Sequence, residues 1–257
     1  MSDTVRYQVA DAVARVTLDA PERLNAVDPE MLDAVVAHLE AAGSDPAVRV
    51  VALAGAGRGF CSGADLSAAA ETGGELDDAT LLGVGAVARA LVECPRPTVS
   101  LVHGVAAGAG ASMALACDYV LASESASFVL AFARIGLMPD GGATALVAAN
   151  VGRARAMRMA LTGERIPAAL AAEWGLVSEC VADAELASRT DELLAHLACL
   201  SPGAAAATKA AVNRAVLDLD DAIATEESGQ AGLLRSTDAR EGITAFVEKR
   251  APVFRGD

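Results

Sequence analysis

The sequence predicts an α/β fold with a mostly parallel sheet. Short β-branched runs alternate with longer helical patterns, the arrangement that βαβ units produce. Two of those runs, Val48–Leu53 and Thr98–Val102, lead into glycine-rich loops that precede helices. The third observation is compositional: 53% of residues are hydrophobic but only 3% aromatic, so the core must be built from Ala, Val and Leu. Small side chains of that kind let helices pack closely on a sheet. A chain of 257 residues accommodates a main α/β domain with a smaller appendage. We place the division at 1–200 and 201–257, because the pattern after Ser201 is wholly helical through Lys249.

The elements follow in order. Val5, Tyr7 and Val9 alternate, then Val13, Arg15 and Thr17, with Asp11-Ala12 between them, which reads as a β-hairpin. A helix is expected over Met31–Ala42, with Asp28 as N-cap, Pro29 at the first helical position and Gly43 closing it. Val48–Leu53 is a buried strand ending in the loop Gly55–Leu66. A mobile loop is expected from Ala69 to Asp78, then a helix from Ala79 to Glu93 that Pro95 and Pro97 stop. Strand Thr98–Val102 runs into His103–Gly110, a small-residue helix follows over Ala109–Ala116, and short strands come at Tyr119–Ala122 and Ser127–Leu130. No internal repeat stands out.

The totals exclude several classes of function. The net charge of −14 opposes nucleic-acid binding, which needs Lys and Arg to neutralise phosphates. An anionic ligand must therefore be held by local donors. No apolar stretch reaches the roughly 20 residues needed to cross a bilayer, and Met1–Ala10 has no signal-peptide core, so a cytoplasmic protein is expected. Five scattered cysteines and three separated histidines show no metal-ligand spacing.

Both glycine loops stand where backbone N–H groups point at an anion. A dinucleotide-binding G-x-G-x-x-G fails in each, because Phe60, Ser62 or Met113 occupies the required glycine position. No Gly-Lys-Ser/Thr follows, which rules out a phosphate-binding Walker loop. Simple tight turns remain the plain alternative.

Seen together, the motifs carry a resemblance. Arg23-Leu24-Asn25-Ala26-Val27, Gly59–Leu66, His103-Gly104 with Gly108-Ala109-Gly110, and Cys117-Asp118 resemble ordered signatures of the enoyl-CoA hydratase/isomerase (crotonase) family. Leu161–Glu164, Trp174–Val177 and Arg240–Arg250 continue the same order, so the likeness spans nearly the whole chain. The resemblance implies a crotonase-like spiral of ββα units over 1–200 holding an acyl-CoA site, and a C-terminal helical lobe over 201–257 that supports a homotrimer or a dimer of trimers. It implies no prosthetic group, with coenzyme A arriving as part of the substrate. The cofactor tail is expected along Arg23, Ala26, Ser62, Ala64, Asp65 and Leu66, with Phe246 and Lys249 approaching it, often from a neighbouring subunit. The backbone amides of Ala64 and Ala109 are implied as an oxyanion hole. Two fixed donors meet the charge that develops on a thioester oxygen without reorganising, and one such donor is typically worth about 3 kcal/mol.

The sequence departs from the hydratase pattern at two positions. Where a hydratase of this family has two glutamates, this chain has Ser112 and Phe132, neither of which can act as a base near neutral pH. A carboxylate does occur at Asp140, in Met138-Pro139-Asp140-Gly141-Gly142. Double-bond-shifting members of the family, including ring-opening isomerases of the phenylacetyl-CoA pathway, often have an aspartate there. Asp140 is the candidate acid/base; the structural alternative is that it N-caps the helix beginning at Ala143. An apolar pocket should raise its pKa and a helix N-terminus should lower it. Ser112 is read as a packing residue or a substrate-contacting hydroxyl, Asp65 as a helix cap, and His103 as structural. Arg58 and Arg23 are solvated residues or contacts for CoA phosphates. The favoured activity is enoyl-CoA double-bond isomerisation. The rivals are a hydratase or thioester hydrolase using positioned water, and an acyl-CoA-binding scaffold without turnover.

Overall fold

The structure, a computed structural model, describes residues 4–67 and 78–256. The loop expected from Ala69 to Asp78 lies outside the described residues, except that Asp78 opens a helix.

The hairpin forms as β1 (Val5–Ala10) and β2 (Val13–Leu18), antiparallel with Val9 opposite Ala14. Asp11 and Ala12 both have positive φ, the requirement of a two-residue hairpin turn matched to strand twist. Helix α1 (Pro29–Ser44) starts as the sequence predicts, with the Asp28 carboxylate accepting from the Met31 amide. It runs past Gly43, which does not close it; Gly43 instead gives room to the Pro95 ring, which stands 3.1 Å from where a Cβ would lie.

Strands β3 (Val50–Gly55), β4 (Thr98–Val102), β6 (Tyr119–Ser123) and β9 (Glu179–Val181) extend the sheet in the order β1-β2-β3-β4-β6-β9. Every pairing beyond the first hairpin is parallel. Alternate residues of β3 face opposite layers, as strand geometry dictates. Val51 and Leu53 join a core with Met31, Leu32, Val35 and Leu39 of α1. Val50 and Ala52 join Leu193 and Leu194 of helix α6 (Leu186–Ala198) on the other face. A strand covered on both faces has no polar side to show, which is why Val50–Leu53 is an unbroken apolar run, while the exposed Arg49 precedes the strand.

Helices α2 (Asp78–Glu93) and α3 (Ala109–Leu115) complete the central layer. A second sheet, β5-β7-β8, contains β5 (Val105–Ala107), β7 (Ser127–Val129) and β8 (Ile166–Pro167). The sequence reading absorbed β5 into the second glycine loop, because three residues give no periodicity to detect. Helix α4 (Ala143–Thr162) begins where the sequence expects a helix and is broken at Gly152, whose φ of +75° is not helical. Helix α5 (Ala168–Trp174) leads to β9. The C-terminal segment is helical, as expected, in three pieces: α7 (Pro202–Val216), α8 (Leu219–Leu233) and α9 (Thr237–Val247). Helix α8 packs on α2 and α4, and α9 on the 3-10 turn Ala131–Ile135.

Candidate active site

The two glycine loops meet because short backbone ladders sew them together. Cys61 pairs with Ala106: its amide donates to Val105 O at 3.0 Å, and its carbonyl accepts from Ala107 N at 2.9 Å. On the other side the Val27 amide donates to Gly63 O and the Asp65 amide to Val27 O, both at 2.8 Å. In this parallel bridge Val27 uses the groups flanking Ala64, so the Ala64 N–H points away from Val27. Asn25 fixes the approach. It is fully buried, accepts from Ala20 N at 2.9 Å, and donates to the carbonyls of Ala56, Gly59 and Phe60.

Two glycines permit the contact. Gly63 has φ +104°, and a Cβ there would lie 3.0 Å from Ala107 O and 3.7 Å from Ala109 N. Gly108 has φ +51° and caps α3, whose first residue is Ala109. The Ala109 N–H is therefore one of the donors that a helix start leaves unpaired, at the positive end of the macrodipole. Among the described residues, neither Ala64 N–H nor Ala109 N–H has a backbone acceptor.

Ala64 and Ala109 both line a cavity of about 600 Å³, within the range of small-molecule sites. Arg23, Ala26, Ser62, Asp65, Leu66, Asp140 and Phe246 line it as well, so the structure brings together every expected site residue except Lys249. Lys249 is exposed, with φ +55°, just past the end of α9. Phe246 stands at this chain's own cavity and is 62% exposed. Arg23 is half-buried and paired: its guanidinium reaches Asp28 and Asp65, each at 2.7 Å. Asp65 accepts from the Ser67 amide and hydroxyl, as a cap does. Burial works to raise the Asp65 pKa, but Ser67 and Arg23 hold it below the usual carboxylate range. His103 contacts Gly57 O at 2.9 Å, a structural role, and Arg58 is exposed.

Asp140 is buried, and it does not cap the following helix with its side chain. Gly142 occupies the N-cap position, the Ala143 amide donates to the Asp140 carbonyl, and the amides of Gly142 and Thr144 are taken by Glu226 of α8. The Glu226 carboxylate accepts from Gly142 N at 2.7 Å, Thr144 N at 2.9 Å and the Thr144 hydroxyl. The opposing influences on Asp140 are thereby resolved. Burial pushes its pKa up to about 7, a hydrogen bond from Gln230 pulls it down, and the Glu226 charge adds to the rise. Gln230 Nε2 stands 3.3 Å from Asp140 Oδ2, while Oδ1 has no partner among the described residues.

Ser112 is fully buried and donates to Asp140 O at 2.8 Å, so it holds the backbone of the aspartate and does not line the cavity. Phe132 does line it, beside Gly108. Glu226 and Gln230 escaped the sequence reading. They sit one turn apart in the C-terminal helices, and nothing local connects them to Asp140. Among the described residues no group of His, Cys, Asp or Glu is arranged to hold a metal.

Fold and site together define a crotonase-like protein: ββα layers that place two glycine loops edge to edge over a cavity of about 600 Å³. A family model described as enoyl-CoA hydratase/isomerase matches residues 8–257, and the chain belongs to that family. A probable enoyl-CoA hydratase from Rhodobacter capsulatus is 42% identical over 98% of each chain. The 1,2-epoxyphenylacetyl-CoA isomerase of Escherichia coli is 39% identical over the full length of both. A solved enoyl-CoA hydratase from Mycobacterium avium subsp. paratuberculosis superposes with a TM-score of 0.92 at 45% identity, covering 98% of each chain. Among the described residues no helix is long and apolar enough to cross a membrane.

Proposed function

We propose that this member of the acyl-CoA family is an enoyl-CoA double-bond isomerase in which Asp140 moves the proton. The observation that carries this reading is the isolation of Asp140. Of the carboxylates lining the cavity among the described residues, Asp65 is tied to Arg23, and Asp140 alone is buried with an oxygen unpartnered. A pKa of about 7 lets one group serve as base and then as acid near neutral pH.

The step balances simply. Asp140 takes a proton from the α-carbon of a β,γ-unsaturated thioester, and the C–H electrons pass into an enolate. The amides of Ala64 and Ala109 receive the negative oxygen. The carboxylic acid then returns the proton to the γ-carbon as the double bond settles between the α- and β-carbons. Phe132 and Leu137 give the cavity an apolar wall, which suits a hydrocarbon acyl group. Coenzyme A enters as part of the substrate, along Arg23, Ala26 and Ser62–Leu66. The exposed apolar side chains of Phe246, Val247, Val253 and Phe254 support burial of the C-terminal region in a trimer.

The test is an Asp140→Asn variant assayed on a β,γ-unsaturated acyl-CoA. A rate equal to the parent's would sink the assignment. A second reading, hydration, is favoured by the name carried by the Rhodobacter relative. Hydration of crotonyl-CoA at an enzymatic rate would support it.

A further inference from the structure

Two side chains of the C-terminal region hold the segment that carries Asp140, although neither lies near it in sequence. Gln230 grips that segment twice. Its Oε1 accepts from Met138 N at 3.0 Å, and its Nε2 donates to Met138 O at 2.9 Å, so the carboxamide pairs with that peptide as a strand neighbour does. The same Nε2 reaches Asp140 Oδ2 at 3.3 Å. One turn earlier on α8, Glu226 takes the amides of Gly142 and Thr144. Both residues are 1% exposed. A glutamate buried that deeply costs stability unless hydrogen bonds offset its desolvation, and the amides of Gly142 and Thr144 with the Thr144 hydroxyl supply them.

We propose that Gln230 and Glu226 are positioning residues that clamp residues 138–144 from both ends, fixing Asp140 Oδ2 and leaving Oδ1 as the oxygen that meets substrate. Gln230 orients the carboxyl. Glu226 occupies the helix-start donors that would otherwise stabilise the aspartate as a spectator anion. This reading rests on Asp140 as the acid/base. The charged groups around the carboxyl are Glu226 and, beside it on α8, Glu227, which stands 3.7 Å from Arg89 of α2. Arg134, Arg165 and the Arg23–Asp65 pair stand on the cavity wall.

The experiment compares Gln230→Leu and Glu226→Gln with the parent, by carbon NMR titration of the Asp140 carboxyl and by pH profiles of isomerisation. The aspartate signal is identified by its loss in Asp140→Asn. Removing the Gln230 donor should move the Asp140 titration to higher pH. Removing the Glu226 charge should move it to lower pH, each by roughly half a unit or more. Each variant should lower kcat about tenfold, with KM changed less than about threefold. A merely structural role does not produce opposite shifts. An Asp140 titration unchanged in Gln230→Leu overturns the clamp, and that variant decides the matter if Glu226→Gln does not fold. If the titration moves as expected while Asp140→Asn isomerises at the parental rate, the clamp stands and the acid/base assignment falls.

Discussion

Asp140→Asn should make the protein more stable at alkaline pH while disabling it. The carboxyl pKa rises from 3.8 to about 7 on folding, because burial disfavours the anion. The folded state therefore binds a proton more tightly than the unfolded state. The stability this confers is fully present below about pH 4 and is lost as pH rises through about 7. At about 1.4 kcal/mol per unit, the whole loss is about 4 kcal/mol, and roughly 2–3 kcal/mol of it accrues between pH 5 and pH 8. Asparagine has no charge to bury, so it escapes this loss. Its amide adds a constant cost of about 1–3 kcal/mol if left without an acceptor, and that cost does not vary with pH. The assay is urea unfolding of parent and variant at fixed protein concentration, at pH 5, 6, 7 and 8. The difference in stability should move in the variant's favour by roughly 2–3 kcal/mol across the series. A flat difference would refute the claim that the aspartate is buried with a raised pKa. In the same variant kcat should fall by about 10²–10⁴, the usual worth of a positioned general base.

In the parent, kcat/KM for isomerisation should rise with pH through about 7, as Asp140 loses its proton and becomes a base; a profile flat from pH 5 to pH 9 contradicts that role. Ala109→Pro should cost about 10²–10³ in kcat/KM, because it deletes one oxyanion donor at a helix position that tolerates proline. Circular dichroism should show α3 intact, and a fully active variant would remove Ala109 from the oxyanion hole. Asn25→Ala should destabilise by about 3 kcal/mol in denaturant titration, since it strands the Ala20 amide and buried carbonyls of the first glycine loop. Gly110→Ala should fold poorly, judged by soluble yield and melting temperature, because its new Cβ would lie 2.5 Å from Cys61 O.

The amino-acid sequence determined what depends on near neighbours. Asp28-Pro29 started α1, and Asp11-Ala12 made the hairpin turn, because caps and turns are local arrangements of backbone and side chain. The run Val48–Leu53 marked a buried strand, and the glycine loops after it and after Thr98–Val102 marked where backbone N–H groups are presented. Tertiary structure alone decided how each charged or polar group is used. Arg23 is paired with Asp65, forty-two residues away. Ser112 turned out to hold the Asp140 carbonyl. Whether Asp140 would be a helix cap or a raised-pKa carboxyl turned on Glu226 and Gln230, which lie 84 and 90 residues beyond the atoms they contact. Ionisation depends on burial and on the few groups within hydrogen-bond reach, and those are brought together by packing α8 on the main sheet's helices, not by any spacing along the chain.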